Sequence, residues 1–194
     1  MTSALIYETI VATRSADGGT HIVPLGIRHE GDFVVLAPFR PSTTLENILR
    51  DRHAVVSFTD DVRVFAGCLT GRQMWPLEPA DEIPGDRLAS ALAHVELVLD
   101  REDDDEMRPR LLCRPVYSAT HRPFRGFNRA QAAVIEACIL VSRLDMLARE
   151  KVQSEIDYLS IAIGKTAGPH EAEAWQWLMD RIATHYATQS PPAP

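Results

Sequence analysis

Residues 39–47 read Phe-Arg-Pro-Ser-Thr-Thr-Leu-Glu-Asn and mark a change in the character of the chain. An apolar run at 33–37 is typical of a short strand, and the prolines that follow it predict a loop. Ser42, Thr43 or Thr44 can then cap a helix, because a side-chain oxygen there accepts a hydrogen bond from an unpaired amide of the first turn. The stretch therefore predicts a strand, a short loop and a helix in close succession.

The start of this helix has the chemistry of an anion site. Unpaired amides and a partial positive charge at a helix N-terminus bind phosphate groups. The three hydroxyls add donors, and Arg40 adds a bidentate cation. An ordinary capped helix beside a surface arginine would show the same residues, so the spacing alone leaves both interpretations open. The sequence has neither the Gly-Lys-Ser/Thr of a P-loop here nor a Gly-x-Gly-x-x-Gly fingerprint anywhere.

Strand-like sequence lies on both sides of this segment. The runs rich in β-branched residues are bounded by Gly, Asp and Pro turn signals. Residues 71–86 predict a long loop, and the acidic run at 100–106 is expected to be a solvated hairpin tip, with cation binding as the alternative. The predicted strands are residues 5–13, 20–29, 33–37, 54–59, 62–70, 92–100 and 111–119, of which the last two form one hairpin.

The second half of the chain reads as helical. Asn128 is predicted to cap a helix whose apolar residues recur at spacings of three and four. Two more helices are predicted at 146–163 and 170–186, separated by glycine and proline. Strands followed by helices indicate an α+β protein and not a doubly wound sheet.

Composition narrows the function classes. The 194 residues carry a formal charge of −7, without the basic stripe by which nucleic-acid binders neutralise phosphates. No apolar run approaches the ~20 residues of a membrane span, and the first ten residues do not resemble a signal peptide. Three separated cysteines suit a reducing compartment, so the cytoplasm is expected. The seven histidines show no zinc-site spacing, and no metal site is predicted.

Several stretches, in order along nearly the whole chain, resemble an uncharacterised bacterial and archaeal family of the FMN-binding split-barrel superfamily, which is similar to flavin reductases and pyridoxamine-phosphate oxidases. The resemblance implies an antiparallel split β-barrel over residues 1–122 and a C-terminal helical region over residues 123–188. A disordered tail is expected at 189–194. The stretches are residues 9–13, His-Ile-Val-Pro-Leu-Gly at 21–26, residues 39–47 and 58–66, and Arg-Gly-Phe-Asn-Arg-Ala at 125–130.

The resemblance also implies FMN as the cofactor and a homodimer with FMN at the subunit interface. In flavin reductases of this fold, a Thr and an Asn on a short helix hold the phosphate and ribityl chain, and Thr44 and Asn47 match that spacing. Strands carrying Thr13 and residues 21–26 would run beside the flavin ring. The expected cofactor-binding residues are Thr13, Pro24, Gly26, Arg40, Ser42, Thr43, Thr44, Asn47 and Arg129, the last as a cation for a phosphate or an anionic substrate.

The expected function is a flavin-dependent oxidoreductase acting on a small substrate, for which a pterin-linked one-carbon compound is one candidate. The absence of a visible acid–base pair fits this reading, because flavin chemistry belongs to the cofactor. The alternative is a split-barrel module without turnover, which binds flavin or contacts another protein. No catalytic residue can be named from the sequence.

Overall fold

The computed structural model describes residues 5–189, which fold into two compact units. One unit contains residues 5–59 and 75–124, and the other contains residues 60–74 and 125–189. The strands belong to the first unit and most of the helices to the second. The expected tail at 189–194 lies outside the described residues except for Gln189, which ends the last helix.

The first unit is a closed six-stranded antiparallel barrel with the strand order β1-β2-β3-β8-β7-β4, and a separate two-stranded hairpin joins β5 to β6. This confirms the α+β class and the barrel. The strands are β1 Tyr7–Arg14, β2 Thr20–Glu30, β3 Phe33–Leu36, β4 His53–Phe58, β5 Leu77–Pro79, β6 Asp86–Leu88, β7 Ala93–Asp103 and β8 Arg110–Thr120. The helices among the described residues are α1 Thr43–Asp51, α2 Val62–Leu69, α3 Arg129–Val141, α4 Arg149–Thr166 and α5 Pro169–Gln189.

The barrel interior is built by alternate residues of its strands. Successive side chains of a strand point to opposite faces, so every second residue enters the core. Helix α1 belongs to the same core through Leu45 and Ile48, and this places its other buried residues beside the barrel. The strand residues that are at most 1% exposed include Val11, Ile27, Leu36, Leu97 and Leu111.

Helix α2 corrects a prediction. The stretch 62–70 was expected to be a strand because Val62 and Val64 alternate with polar or small residues. It forms a helix instead, and the Asp61 side chain caps it by accepting a hydrogen bond from the Arg63 amide at 3.2 Å. Burial extends over adjacent residues such as Val64 and Phe65, as on a helix face and not as on a strand.

The predicted long loop at 71–86 contains strand β5 and meets the barrel through a buried carboxylate. Glu96, on the outer face of β7, accepts hydrogen bonds from the amides of Asp81, Glu82 and Ile83 at 2.6, 2.9 and 2.9 Å. The Ser57 hydroxyl of β4 accepts another from the Leu88 amide at 3.2 Å. These bonds hold the β5–β6 hairpin against β4 and β7.

The helical unit follows the predicted apolar stripe. Asn128 caps α3 as expected, since its side chain accepts a hydrogen bond from the Ala130 amide at 2.7 Å. The next two helices occur as predicted, with α4 shifted about one turn towards the C-terminus. No helix among residues 5–189 combines the length and apolarity needed to cross a membrane. The buried stripe consists of Ala130, Ala133, Val134, Ala137, Val141 and Leu144.

Candidate functional site

The N-terminus of α1 presents backbone donors. Ser42 is the N-cap, with extended backbone, and its Oγ accepts a hydrogen bond from the Leu45 amide at 3.3 Å. The Glu46 amide donates to the Ser42 carbonyl at 3.1 Å. Among the described residues, the amides of Thr43 and Thr44 have no hydrogen-bond partner. Two donors and the positive end of the helix dipole therefore remain available to an anion.

A buried polar cluster lies beneath this turn. Thr44 Oγ1 lies 3.2 Å from His21 Nε2 of β2, and Asn47 Nδ2 donates to Thr13 Oγ1 of β1 at 3.0 Å. Asn47 Oδ1 accepts a further bond from Arg50 at 3.2 Å. The side chains of Thr13, Thr44 and Asn47 are at most 4% exposed. The structure thus brings together three of the expected site residues and adds His21, whereas Thr43 is exposed above them.

His21 was part of the quoted stretch at 21–26 but was not singled out. Burial lowers the pKa of its imidazole below the usual 6.5, so the ring is neutral at pH 7. In a neutral imidazole one nitrogen donates and the other accepts. The proton position on His21 therefore decides whether Thr44 receives or donates the bond between them. The contact between His21 and Thr44 depends on how α1 packs against β2 in the folded barrel. The sequence therefore offered no signal for it.

Arg40 is already paired with carboxylates. Its guanidinium donates to Glu102 and Asp104 of the β7–β8 hairpin, both at 3.0 Å, and its amide donates to the Met107 carbonyl at 2.8 Å. The acidic run at 100–106 thus supplies counter-charges to the arginine that precedes the helix. An anion at the N-terminus of α1 would have to share this guanidinium with two carboxylates.

The other expected residues lie elsewhere. Pro24 and Gly26 are on β2, where they pair with Ile10 and Glu8 of β1. Gly26 is five residues beyond His21, about 16 Å along an extended strand. A Cβ atom at position 26 would lie 2.7 Å from the Ile6 side chain, so the glycine permits a close approach of the N-terminal segment. Arg129 is the exposed first residue of α3 in the helical unit.

A second polar cluster surrounds Glu96. The ligand atoms of Asp81, His94 and Glu96 lie within 4.8 Å of one another, a spacing that could hold a metal ion. Glu96 already accepts three backbone hydrogen bonds, and its Oε1 lies 3.1 Å from His94 Nε2. The other His94 nitrogen lies 2.9 Å from Nε2 of His121. Hydrogen bonds account for all five of these contacts, so the cluster serves as an anchor for the hairpin.

Known structures share this fold. An FMN-bound protein of Methanosarcina mazei matches with a TM-score of 0.80 and 21% identity, over 92% of this chain and 96% of that one. The 2-nitrobenzoate 2-nitroreductase of Pseudomonas fluorescens matches with 0.52 and 18%, over 62% and 67%. Flavoredoxin of Methanosarcina acetivorans matches with 0.52 and 9%, over 62% and 73%. At these identities the likeness establishes the split-barrel fold.

Family comparison covers most of the chain. No curated protein matches the sequence significantly. The family model described as "Protein of unknown function (DUF447) N-terminal domain" matches residues 7–122. The companion model, "Protein of unknown function (DUF447)", matches residues 128–180. The expected kinship with an uncharacterised split-barrel family is confirmed, and the chain belongs to the DUF447 family.

Proposed function

We propose that this chain is a flavoprotein that binds FMN with its phosphate at the N-terminus of α1, and that it is a flavin-dependent oxidoreductase. The observation that carries the proposal is the pair of unpartnered amides on Thr43 and Thr44, above a buried polar cluster on a split barrel. The likeness to the FMN-bound protein of Methanosarcina mazei over nearly the whole chain supports the choice of ligand.

Each expected site residue has a role in this proposal. The amides at the start of α1, with the Ser42, Thr43 and Thr44 side chains, would hold the phosphate, and Asn47 and Thr13 would support them from below. The β2 segment from Pro24 to Gly26 would run beside the flavin ring. Arg40 and Arg129 would be additional cations for a phosphate or an anionic substrate. Arg40 would attract an anion less strongly, because two carboxylates already neutralise it.

The bound flavin would supply hydride or electron transfer, and the chain's own residues would bind and orient it. A small substrate is proposed, with a pterin-linked one-carbon compound as one candidate.

Exposed apolar side chains at the start of β1 support a homodimer, because contiguous apolar surface marks interfaces. Three free cysteines support a cytoplasmic location. The exposed apolar side chains at the start of β1 are those of Leu5, Ile6 and Tyr7, which are 68%, 47% and 43% exposed.

A non-catalytic module is the second candidate, and one feature favours it. Helices α4 and α5 border a groove of ≈ 460 Å³, lined by apolar residues such as Val152, Ile156 and Met179 and by the polar side chains of Arg149 and Gln153. Such a groove suits a protein partner as well as a substrate. Reduction of the bound flavin by NADH or NADPH would favour the enzyme, whereas a flavin that neither nucleotide reduces would favour the module.

The proposal is tested with the purified protein saturated with FMN. We expect a flavin absorbance spectrum and release of a molecule with the mass of FMN. Thr43→Val should weaken FMN binding about 10- to 100-fold, because a hydrogen bond to a charged group contributes about 1.5–3 kcal/mol. Thr184→Val, at an exposed threonine of α5, is the control and should leave the Kd unchanged. A protein that binds no flavin, or equal Kd values for the two variants, would refute the proposed site.

A further inference from the structure

The Thr44 hydroxyl uses one of its three hydrogen-bonding positions. It is buried, and His21 Nε2 at 3.2 Å is the only side-chain or backbone partner of its Oγ1 among residues 5–189. A hydroxyl donates one hydrogen and accepts on two lone pairs. Buried polar groups rarely leave this capacity unused. The hydroxyl therefore keeps hydrogen-bonding positions that another group at the helix N-terminus can use.

The proton on His21 decides which group fits. If Nε2 accepts, the Thr44 hydrogen points at the imidazole and only lone pairs face the helix N-terminus. If Nε2–H donates, the hydroxyl hydrogen is free to point the other way. A phosphate dianion carries only acceptors, so it can bond with Thr44 in the second arrangement alone. The unpaired amides of Thr43 and Thr44 are donors as well, and they match that arrangement.

We propose that His21 is a positioning residue that makes the site specific for a phosphorylated flavin. Its Nε2–H donates to Thr44 Oγ1 and thereby directs the Thr44 hydroxyl hydrogen towards a phosphoryl oxygen. The inference rests on the proposed function, since it assumes the phosphate at the start of α1. It goes beyond that proposal by naming the residue that orients the donors and the ligand feature that they select.

Discrimination between FMN and riboflavin follows from this arrangement. Riboflavin has the same ring and ribityl chain but no phosphate. It leaves the oriented Thr44 hydroxyl and the two amides without a charged acceptor, and binding sites reject analogues that leave buried polar groups unpaired. The ratio of the two Kd values therefore measures what the phosphate contacts contribute.

The experiment compares FMN and riboflavin binding by flavin fluorescence in wild type, His21→Leu, His21→Gln and the control His29→Leu. His29 is an exposed histidine of the same strand. His21→Leu should weaken FMN binding about tenfold, the effect of one hydrogen bond to a charged group, and leave riboflavin within about twofold. His21→Gln retains an N–H donor and should restore most of the preference for FMN. His29→Leu should change neither Kd.

The outcomes separate the inference from the proposed function. Equal weakening of both flavins by His21→Leu, or an unchanged FMN preference, would overturn the inference and leave the FMN site standing. A wild-type protein that binds neither flavin would overturn the proposed function itself. A measurement that needs no variant is the ¹⁵N spectrum of the His21 imidazole in the FMN complex. A proton on Nε2 supports the inference, and an unprotonated Nε2 overturns it.

Discussion

Glu96 carries a charge in a place where water cannot reach it. Its side chain is fully buried, and burial alone would raise the pKa of the carboxyl. Hydrogen bonds from the amides of residues 81–83 and from His94 outweigh that effect and leave the pKa lowered. The carboxylate is therefore ionised at neutral pH. Its energetic value depends on every donor around it being in place.

Substituting Glu96 by Gln should destabilise the protein by about 3 kcal/mol. The amide group replaces one carboxylate oxygen by an N–H donor, which would face backbone N–H groups and leave at least one of them unsatisfied in the interior. For a chain of this size, that lowers the thermal midpoint by roughly 6–12 °C. Differential scanning calorimetry measures the change.

Glu82→Gln serves as the control for this prediction. Its side chain is exposed in the same loop, and it contributes only its backbone amide to the anchor. The midpoint of this variant should stay within about 2 °C of wild type, as for most surface substitutions. A Glu96→Gln midpoint that also stays within that range would show that the anchor is not needed for stability.

At the scale of elements, α1 is seated on the barrel by polar as well as apolar contacts. Leu45 and Ile48 enter the core, whereas Asn47 reaches Thr13 of β1 with its amide. Removing Asn47 alone leaves the buried Thr13 hydroxyl without its donor. Removing the Asn47 amide and the Thr13 hydroxyl together leaves no unsatisfied buried hydroxyl. The energy of the contact can therefore be measured by comparing the single and double variants.

Asn47→Ala should cost roughly 1–3 kcal/mol in the free energy of unfolding. We expect the double variant with Thr13→Val to lose less than the sum of the two single variants, with a coupling of about 1 kcal/mol. Urea unfolding of the four proteins measures the coupling. Simple additivity would show that the polar contact does not hold α1 on the barrel.

The same elements show how far the sequence can be interpreted. All six barrel strands were predicted, because alternating apolar residues and turn signals are local properties. Helix α2 was assigned wrongly, since eight residues with valines at alternate positions fit both periods. The Asp61 cap was its one helical signal. The contacts of His21 with Thr44 and of Glu96 with residues 81–83 join segments more than ten residues apart. No local pattern encodes such pairs.

At the scale of the whole molecule, three histidines with lowered pKa values make stability depend on pH. Burial is the largest cause that lowers the pKa of His21, His53 and His121 below 6.5. The folded protein therefore binds protons on these rings less readily than the unfolded chain does. Stability rises with pH wherever the unfolded state holds more protons.

The thermal midpoint of the ligand-free protein should consequently fall as the pH is lowered from 8 to about 5.5. Above the unfolded histidine pKa of about 6.5, all three rings are neutral in both states and stability is at its full value. Below it, the unfolded chain takes up protons first, and stability is lost down to the lowered folded pKa values. Carboxylates with lowered pKa values, such as Glu96, add their own loss of stability only near pH 4 and below.

His21→Gln removes one of the three rings and should flatten the slope of the thermal midpoint between pH 8 and 5.5, as scanning calorimetry in matched buffers would show. A midpoint that stays constant or rises over that interval would mean that the folded protein accommodates the imidazolium forms as well as water does.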